Sequence, residues 1–244
     1  MECPVKVWLL SGSKFDSIDK KIAILPIGSI ERHGDHLPLG TDTIEAMYIA
    51  ERVAEKLCIH LFPPIWYGSS RGLRRFSGTI DIGDEPLYHY VYRVLLEIAR
   101  HGYKLIVVLN GHGGNTQALR LAAKKASFDS GAAIAVINWW SEVAQDKRKE
   151  LFKYPGHAGE DETSAMLYIA PETVDMSVAR DHVVDISIDI ALYSPEIEEL
   201  LYPYAVLGKA TMASAEKGKI WIESVVEELS SKIKDIARLL KIDI

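Results

Sequence analysis

"KLIVVLNGHGGN", residues 104–115, joins an apolar run to a glycine-rich polar loop. A short continuous run rich in Val and Ile reads as a buried strand of a parallel sheet covered on both faces. Segments 21–27, 132–138 and 59–65 read the same way, the last weakened by Pro63 and Pro64. Helical patterns alternate with them. Segment 43–57 begins after Asp42 as a helix cap. Segment 86–101 has Pro86 in its first turn and stops before Gly102, and 116–130 ends before Gly131. A further helix over 162–169 precedes Pro171, and 219–240 carries apolar residues at amphipathic spacing. Such alternation implies right-handed crossovers and one α/β domain over residues 1–244, with a doubly wound, mostly parallel sheet and helices on both faces. Between 175 and 203 the pattern assigns no element.

The 244 residues are 48% hydrophobic and 25% charged, with a net charge of −6. That is enough chain for a substantial core. The acidic balance disfavours a nucleic-acid partner, which a basic excess would accompany. No apolar run reaches the roughly 18–20 residues of a membrane helix, so no membrane partner is expected. The first residues, MECPVKVWLL, read poorly as a signal peptide. Cys3 and Cys58 share no motif spacing and are expected to be reduced and incidental, as in a cytoplasmic protein.

In open parallel sheets, ligands bind beyond the carboxyl ends of the strands. "SIERHGDH" (29–36) follows the strand over 21–27, and "NGHGGN" (110–115) follows the strand over 104–109. "GHAGEDETS" (156–164) comes after the strand over 132–138 and an intervening stretch, and opens a helix. Glu31 and His33, two apart in an irregular loop, can face one cavity. Asp42 stands where a helix begins, His112 between glycines, and Glu162 in the first turn of its helix. Two histidines and three carboxylates form a mixed N/O donor set. Such a set suits zinc, manganese or iron(II) better than calcium, and it lacks the thiolates of a structural zinc site. Five ligands exceed what one open catalytic ion takes. A bridging carboxylate, best supplied by Asp42, would let them hold two divalent ions roughly 3.5 Å apart.

Each piece has an ordinary reading too. Glu31 or Asp42 alone is an exposed charge or a cap. His112 alone is a loop histidine, and Gly113–Gly114 a tight turn. "NGHGGN" alone could cradle a phosphate, though it lacks the lysine of a P-loop. Glu160 and Asp161 read as solvated charges favoured by the helix dipole. Arg74 and Arg75 read as surface residues, and His60, His89, His101 and His182 as structural or surface ones. What favours chemistry is that three such clusters fall where a parallel sheet places its site.

At these residues the sequence resembles the creatininase (creatinine amidohydrolase) family. The matching stretches are "LPIGSIERHGDHLPLGTDT", "RFSGTI", "VLNGHGGN", "HAGEDETSAML" and "ATMASAEKGK", in family order over nearly the whole chain. The resemblance implies a doubly wound α/β fold, a binuclear metal site and hydrolysis of a carbon–nitrogen bond in a cyclic amide, formamide or related small amide. It also implies a homo-oligomer, a hexamer in many members. By the same resemblance, Glu31 and His112 match ligands of one metal, His33 a ligand of the other and Asp42 the bridge. His157 matches the family's proton-transfer histidine, and Glu162 an acidic position expected to complete the second metal site. Gly113 and Gly114 stand where creatininase proper carries an aromatic residue and a glutamate. They should therefore open the substrate pocket, with Trp139 or Trp140 as a wall, and disfavour creatinine itself.

The expected chemistry is attack by a metal-activated water, with His157, titrating near neutrality, as general acid to the leaving nitrogen. His36 would either orient a ligand by donating to Asp42 or Glu31 or stand as a satisfied loop histidine. The competing readings are a non-catalytic metal- or ligand-binding protein and a nucleotide binder.

Overall fold

The computed structural model describes residues 5–185, 192 and 194–243. Strands β1 (Val5–Lys6), β2 (Ile22–Ile27), β3 (His60–Leu61), β4 (Leu105–Asn110) and β5 (Ala133–Asn138) form one parallel sheet in the order β1-β3-β2-β4-β5. Helices α1 (Gly12–Ser17), α2 (Thr41–Leu57), α3 (Asp84–Arg100) and α4 (Thr116–Ser130) alternate with these strands. After the sheet come α5 (Trp139–Glu142), α6 (Gln145–Leu151) and α7 (Glu160–Ile169). A two-residue antiparallel ribbon, β6 (Asp181–His182) with β7 (Gly208–Lys209), brackets α8 (Pro195–Leu201), and α9 (Ala215–Leu239) closes the fold.

The two-residue alternation of a strand sorts its side chains between two cores. Ile22, Ile24, Leu105, Val107 and Leu109 pack against α2 and α9. Ala23, Leu25, Ile27, Ile106 and Val108 pack against α3 and α4 on the opposite face. Every residue of β2 and β4 is buried, which is why their sequences show no polar alternation.

The strand order reverses between β2 and β4, the place where a doubly wound sheet opens a crevice. The register aligns the strand ends there, with Ile27 opposite Asn110 and Asn110 opposite Asn138. The loops leaving β2, β4 and β5 thus start side by side. The Asn110 amide donates to Asn138 Oδ1 (2.8 Å) and to the His112 carbonyl (2.8 Å), tying two of those loops together.

The structure corrects several boundaries. The strand expected over 59–65 shrinks to His60–Leu61, with Ile65 returning to pair with Ile27 as a lone bridge. Pro63 and Pro64 have no N–H for a ladder. Helix α7 starts at Glu160, two residues early, and α9 at Ala215, four residues early. In the stretch left unassigned, β6 and α8 appear. Cys58 is the left-handed residue that ends α2, and it is disulfide-bonded rather than a free thiol. Cys3 lies outside the described residues. Linear spacing could not have shown this, because a disulfide depends on closeness in space. Among the described residues, no helix is long and apolar enough to cross a membrane.

Candidate metal and catalytic site

The loop leaving β2 is pinned before its side chains are considered. The backbone N–H of Glu31 donates to Leu39 O (2.9 Å), and that of Gly34 to Ala205 O (2.8 Å). Arg32 N–H donates to Thr79 Oγ1 (3.0 Å). Glu31, His33 and Asp42 are buried as a result, at 1%, 0% and 3% exposure.

Three imidazoles surround three carboxylates. A backbone carbonyl only accepts, so each ring nitrogen facing one must carry the proton. His33 donates from Nδ1 to Glu31 O (3.1 Å), His112 from Nε2 to Ser69 O (2.8 Å), and His157 from Nε2 to Arg32 O (2.9 Å). The other nitrogen of each ring then points its lone pair inward when the ring is neutral. His33 Nε2 lies 3.1 Å from Asp42 Oδ1 and 3.8 Å from Glu162 Oε2. His112 Nδ1 lies 3.1 Å from Asp42 Oδ2 and 3.3 Å from Glu31 Oε1. His157 Nδ1 lies 3.7 Å from Glu31 Oε1. Both Glu31 carboxylate oxygens are buried with no hydrogen-bond partner. Lone pairs facing lone pairs in a largely buried site need a proton or a metal cation between them, and histidine nitrogens with carboxylate oxygens suit a divalent transition metal.

Two candidate ligand groups emerge, Glu31–Asp42–His112 and His33–Asp42–Glu162. Asp42 belongs to both and turns a different oxygen to each histidine. A third group, Glu31–His33–His157, includes the proposed proton-transfer residue.

The ionisation of these groups follows from crowding. Burial works against charge on His112, but Glu31 and Asp42 lift its pKa to about 9. Burial likewise opposes charge on His33, yet Asp42, Glu162 and Glu31 raise it well above its ordinary value. Asp42 is held well below the usual carboxylate range by His33 and His112 despite its burial. Burial lifts Glu162 to about 8 and raises Glu31. Burial and the charge of His33 push His157 down to about 3. That is below the near-neutral range the sequence suggested for this histidine.

Four sequence expectations are overturned here. Asp42 is not a helix cap. Gly40 occupies that position, and the Asp42 carboxylate turns inward from the first turn of α2. His36 does not donate to Asp42 or Glu31; its Nε2 meets Thr163 Oγ1 (2.9 Å), and burial lowers its pKa to about 4. Trp139 does not wall the pocket. It is 1% exposed in the core, its ring 4.9 Å from that of Trp221, because α5 turns the next residue outward instead. Trp140 lines the cleft. Glu160 and Asp161 are not solvated. They are 0% and 1% exposed and ion-paired to Lys217 (2.6 Å) and Arg148 (2.6 Å).

The cleft over the cluster measures about 450 Å³, and Gly113 and Gly114 lie on its wall. The two glycines differ. A Cβ on Gly113 would find only Trp140, at 3.8 Å, whereas one on Gly114 would overlap the Ser69 carbonyl. Only Gly113 therefore adds room. The sequence did not flag three residues near the site. Arg71 and Tyr202 line the cleft, and buried Glu45 lies one turn beyond Asp42 on α2. Glu45 was discoverable, since a charge sits on a helix face otherwise filled by Ala46, Ile49 and Ala50. Burial raises its pKa well above normal, and Glu162 and Asp42 add to the effect. Tyr202 gave no signal, because it comes from the segment that showed no pattern.

Fold and site define a doubly wound α/β protein with a buried histidine–carboxylate centre at its switch point. The chain belongs to the creatininase family: the family model described as creatinine amidohydrolase matches residues 10–233. It is 33% identical over 242 residues to the 3-dehydro-scyllo-inosose hydrolase of Thermotoga maritima, covering 88% of this chain and 77% of that one. It is 34% identical over 229 residues to the mycofactocin precursor peptide peptidase of Mycobacterium ulcerans, covering 86% and 83%. A solved structure described as "Creatininase Mn" superposes with a TM-score of 0.84 at 26% identity, covering 95% of this chain and 98% of that one.

Proposed function

We propose that this protein is a metal-dependent hydrolase that cleaves a carbon–nitrogen bond in an amide, lactam or formamide larger than creatinine. The observation that carries the reading is the set of three imidazoles, each with its outer N–H on a backbone carbonyl and its inner nitrogen facing Glu31, Asp42 or Glu162. Glu31, Asp42 and His112 would hold one divalent ion and His33, Asp42 and Glu162 a second, zinc or manganese by donor type. Ions bound there would supply Lewis-acid polarisation of the scissile carbonyl and a water acidified toward neutral pH.

The chain's own groups do the rest. The Arg32 carbonyl fixes the His157 ring through Nε2, which leaves Nδ1 as its working nitrogen. That nitrogen takes a proton from the attacking water and hands it to the departing nitrogen, so the leaving group exits as a neutral amine. Ser69 and Glu31 hold His112 and His33 in the matching tautomers by their main-chain oxygens. Gly113 and Trp140 admit a substrate with more bulk on the β4 side of the cleft. The named activities of the relatives, on an inosose and on a precursor peptide, fit substrates larger than creatinine.

A nucleotide-binding role is less well supported. His112, the centre of "NGHGGN", faces Glu31 and Asp42, which would repel a phosphate. Asn115 is turned inward to Gly28 O (2.9 Å). The test is metal analysis combined with a hydrolysis screen of amides, lactams, formamides and creatinine. Turnover should vanish with chelator and return with Mn²⁺ or Zn²⁺. Hydrolysis of creatinine at kcat/KM of about 10⁴ M⁻¹s⁻¹ or above would overturn the substrate assignment. Turnover indifferent to chelation would overturn the metal assignment.

A further inference from the structure

We propose that the phenol of Tyr202 donates a hydrogen bond to the substrate carbonyl oxygen under attack, which makes it a catalytic residue of this site. The proposal rests on the hydrolase reading above. Tyr202 ends α8, and its ring stands edge-on to His157, with centroids 5.5 Å apart at 87°. It lines the same cleft as Glu31, Glu162 and His157. Its backbone is fixed from several directions. Arg75 Nη2 donates to the carbonyls of Tyr202 (2.7 Å) and Glu198 (3.1 Å). Three residues on, Ala205 O receives Gly34 N–H (2.8 Å), and Leu207 N–H donates to His157 O (2.8 Å). The chain around Tyr202 is thus tied to two of the three loops that carry the histidines, those of His33 and His157.

The hydroxyl itself is uncommitted. A phenol in a partly buried position normally finds a partner, yet none of the described residues hydrogen-bonds to this one. Two other polar groups of the cleft are already engaged, Arg148 with Asp161 and Ser70 with Ser29. Burial, with the nearby charges of Glu198, Glu162 and Glu31, holds the phenol protonated by raising its pKa to about 12. Tyr202 thus shares with Glu31, Glu162 and His157 the cleft in which an amide carbonyl must sit to be reached by a water near those carboxylates. An O–H aimed at an oxygen that gains negative charge favours the transition state over the ground state.

The test compares wild type with Tyr202→Phe, which keeps the ring against His157 and removes only the oxygen. Both are loaded with Mn²⁺ and titrated calorimetrically with acetohydroxamate, a small carbonyl-bearing probe. The variant should hold the same metal content and melt at the same temperature, yet bind the probe about 3- to 10-fold more weakly. On the best amide of the screen, kcat should fall while KM holds. Equal affinities within twofold would overturn the role of Tyr202 and leave the hydrolase reading intact. A wild type that holds metal but ignores the probe would also overturn it, since no donor then meets a carbonyl in the cleft. A wild type that binds neither metal nor probe would overturn the hydrolase reading, and this proposal with it.

Discussion

Glu160, Asp161 and Glu162 are consecutive residues in the first turn of α7, and they sit in opposite electrostatic situations. Glu160 receives the backbone N–H groups of Lys153 and Tyr154 (both 2.9 Å) and the Lys217 ammonium (2.6 Å). Asp161 takes two donors from Arg148 (2.8 and 2.6 Å) and one from Gly156 N (2.8 Å). Glu162 has one backbone donor, Ala158 N (2.6 Å), and otherwise faces His33 and the carboxylate cluster. The first two are saturated by cations from α9 and α6 and hold the fold. The third lacks a permanent cation of the protein's own. Glu160 and Asp161 are the more deeply buried and Glu162 only half-buried, so burial alone does not mark function. What separates them is whether the protein itself supplies the compensating charge.

That contrast can be broken by experiment. The largest effect should come from Asp42→Ala, because one carboxylate faces both histidines of the two ligand groups. Metal content should fall by two ions per chain and turnover should disappear, whereas His33→Ala should empty mainly one site. Two ions retained in Asp42→Ala would refute the bridge. Next is His157→Ala, which should keep its metal and lose about 10²–10⁴ in rate. If the ions leave instead, the Glu31–His33–His157 group is a ligand set and the proton travels by another residue.

On the saturated side, Asp161→Ala strands Arg148 in a largely buried position. The expected cost is about 3–5 kcal/mol of stability, read by denaturant melts, with metal stoichiometry unchanged in the folded fraction. Metal loss at full stability would erase the distinction between the two sides of α7.

The smallest effect is a pH dependence of the metal-free protein. His112, lifted to about 9, and Glu162, lifted to about 8, both bind protons more tightly folded than unfolded. Their contribution is fully present below the unfolded values and is lost as pH rises through the folded ones. The chelated protein should therefore lose stability between about pH 7 and pH 9, by up to a few kcal/mol. The metal-loaded protein, whose cations replace those protons, should stay flat over the same window. A chelated protein whose melting temperature rises across that range would contradict the assignment of unsatisfied negative charge.

The sequence by itself determined the parallel sheet, because β2, β4 and β5 are short apolar runs rich in Ile and Val, and the first two are buried on both faces. It also determined the loops that carry Glu31, His33 and His112, since these follow directly from strand ends aligned by register. Glu162 was legible from its motif as a partner of that cluster, and the structure brings it to within 3.8 Å of His33. Only the tertiary structure decided which of two adjacent tryptophans faces the cleft, since a one-residue step on α5 turns the side chain by roughly 100°. Only it could show that Glu160 and Asp161 are paired, because their cations lie 57 and 13 residues away. The same holds for Tyr202 over His157 and for the proton positions on three histidines. Each of these rests on a neighbour distant in sequence, and a local pattern records only what local packing and backbone periodicity impose.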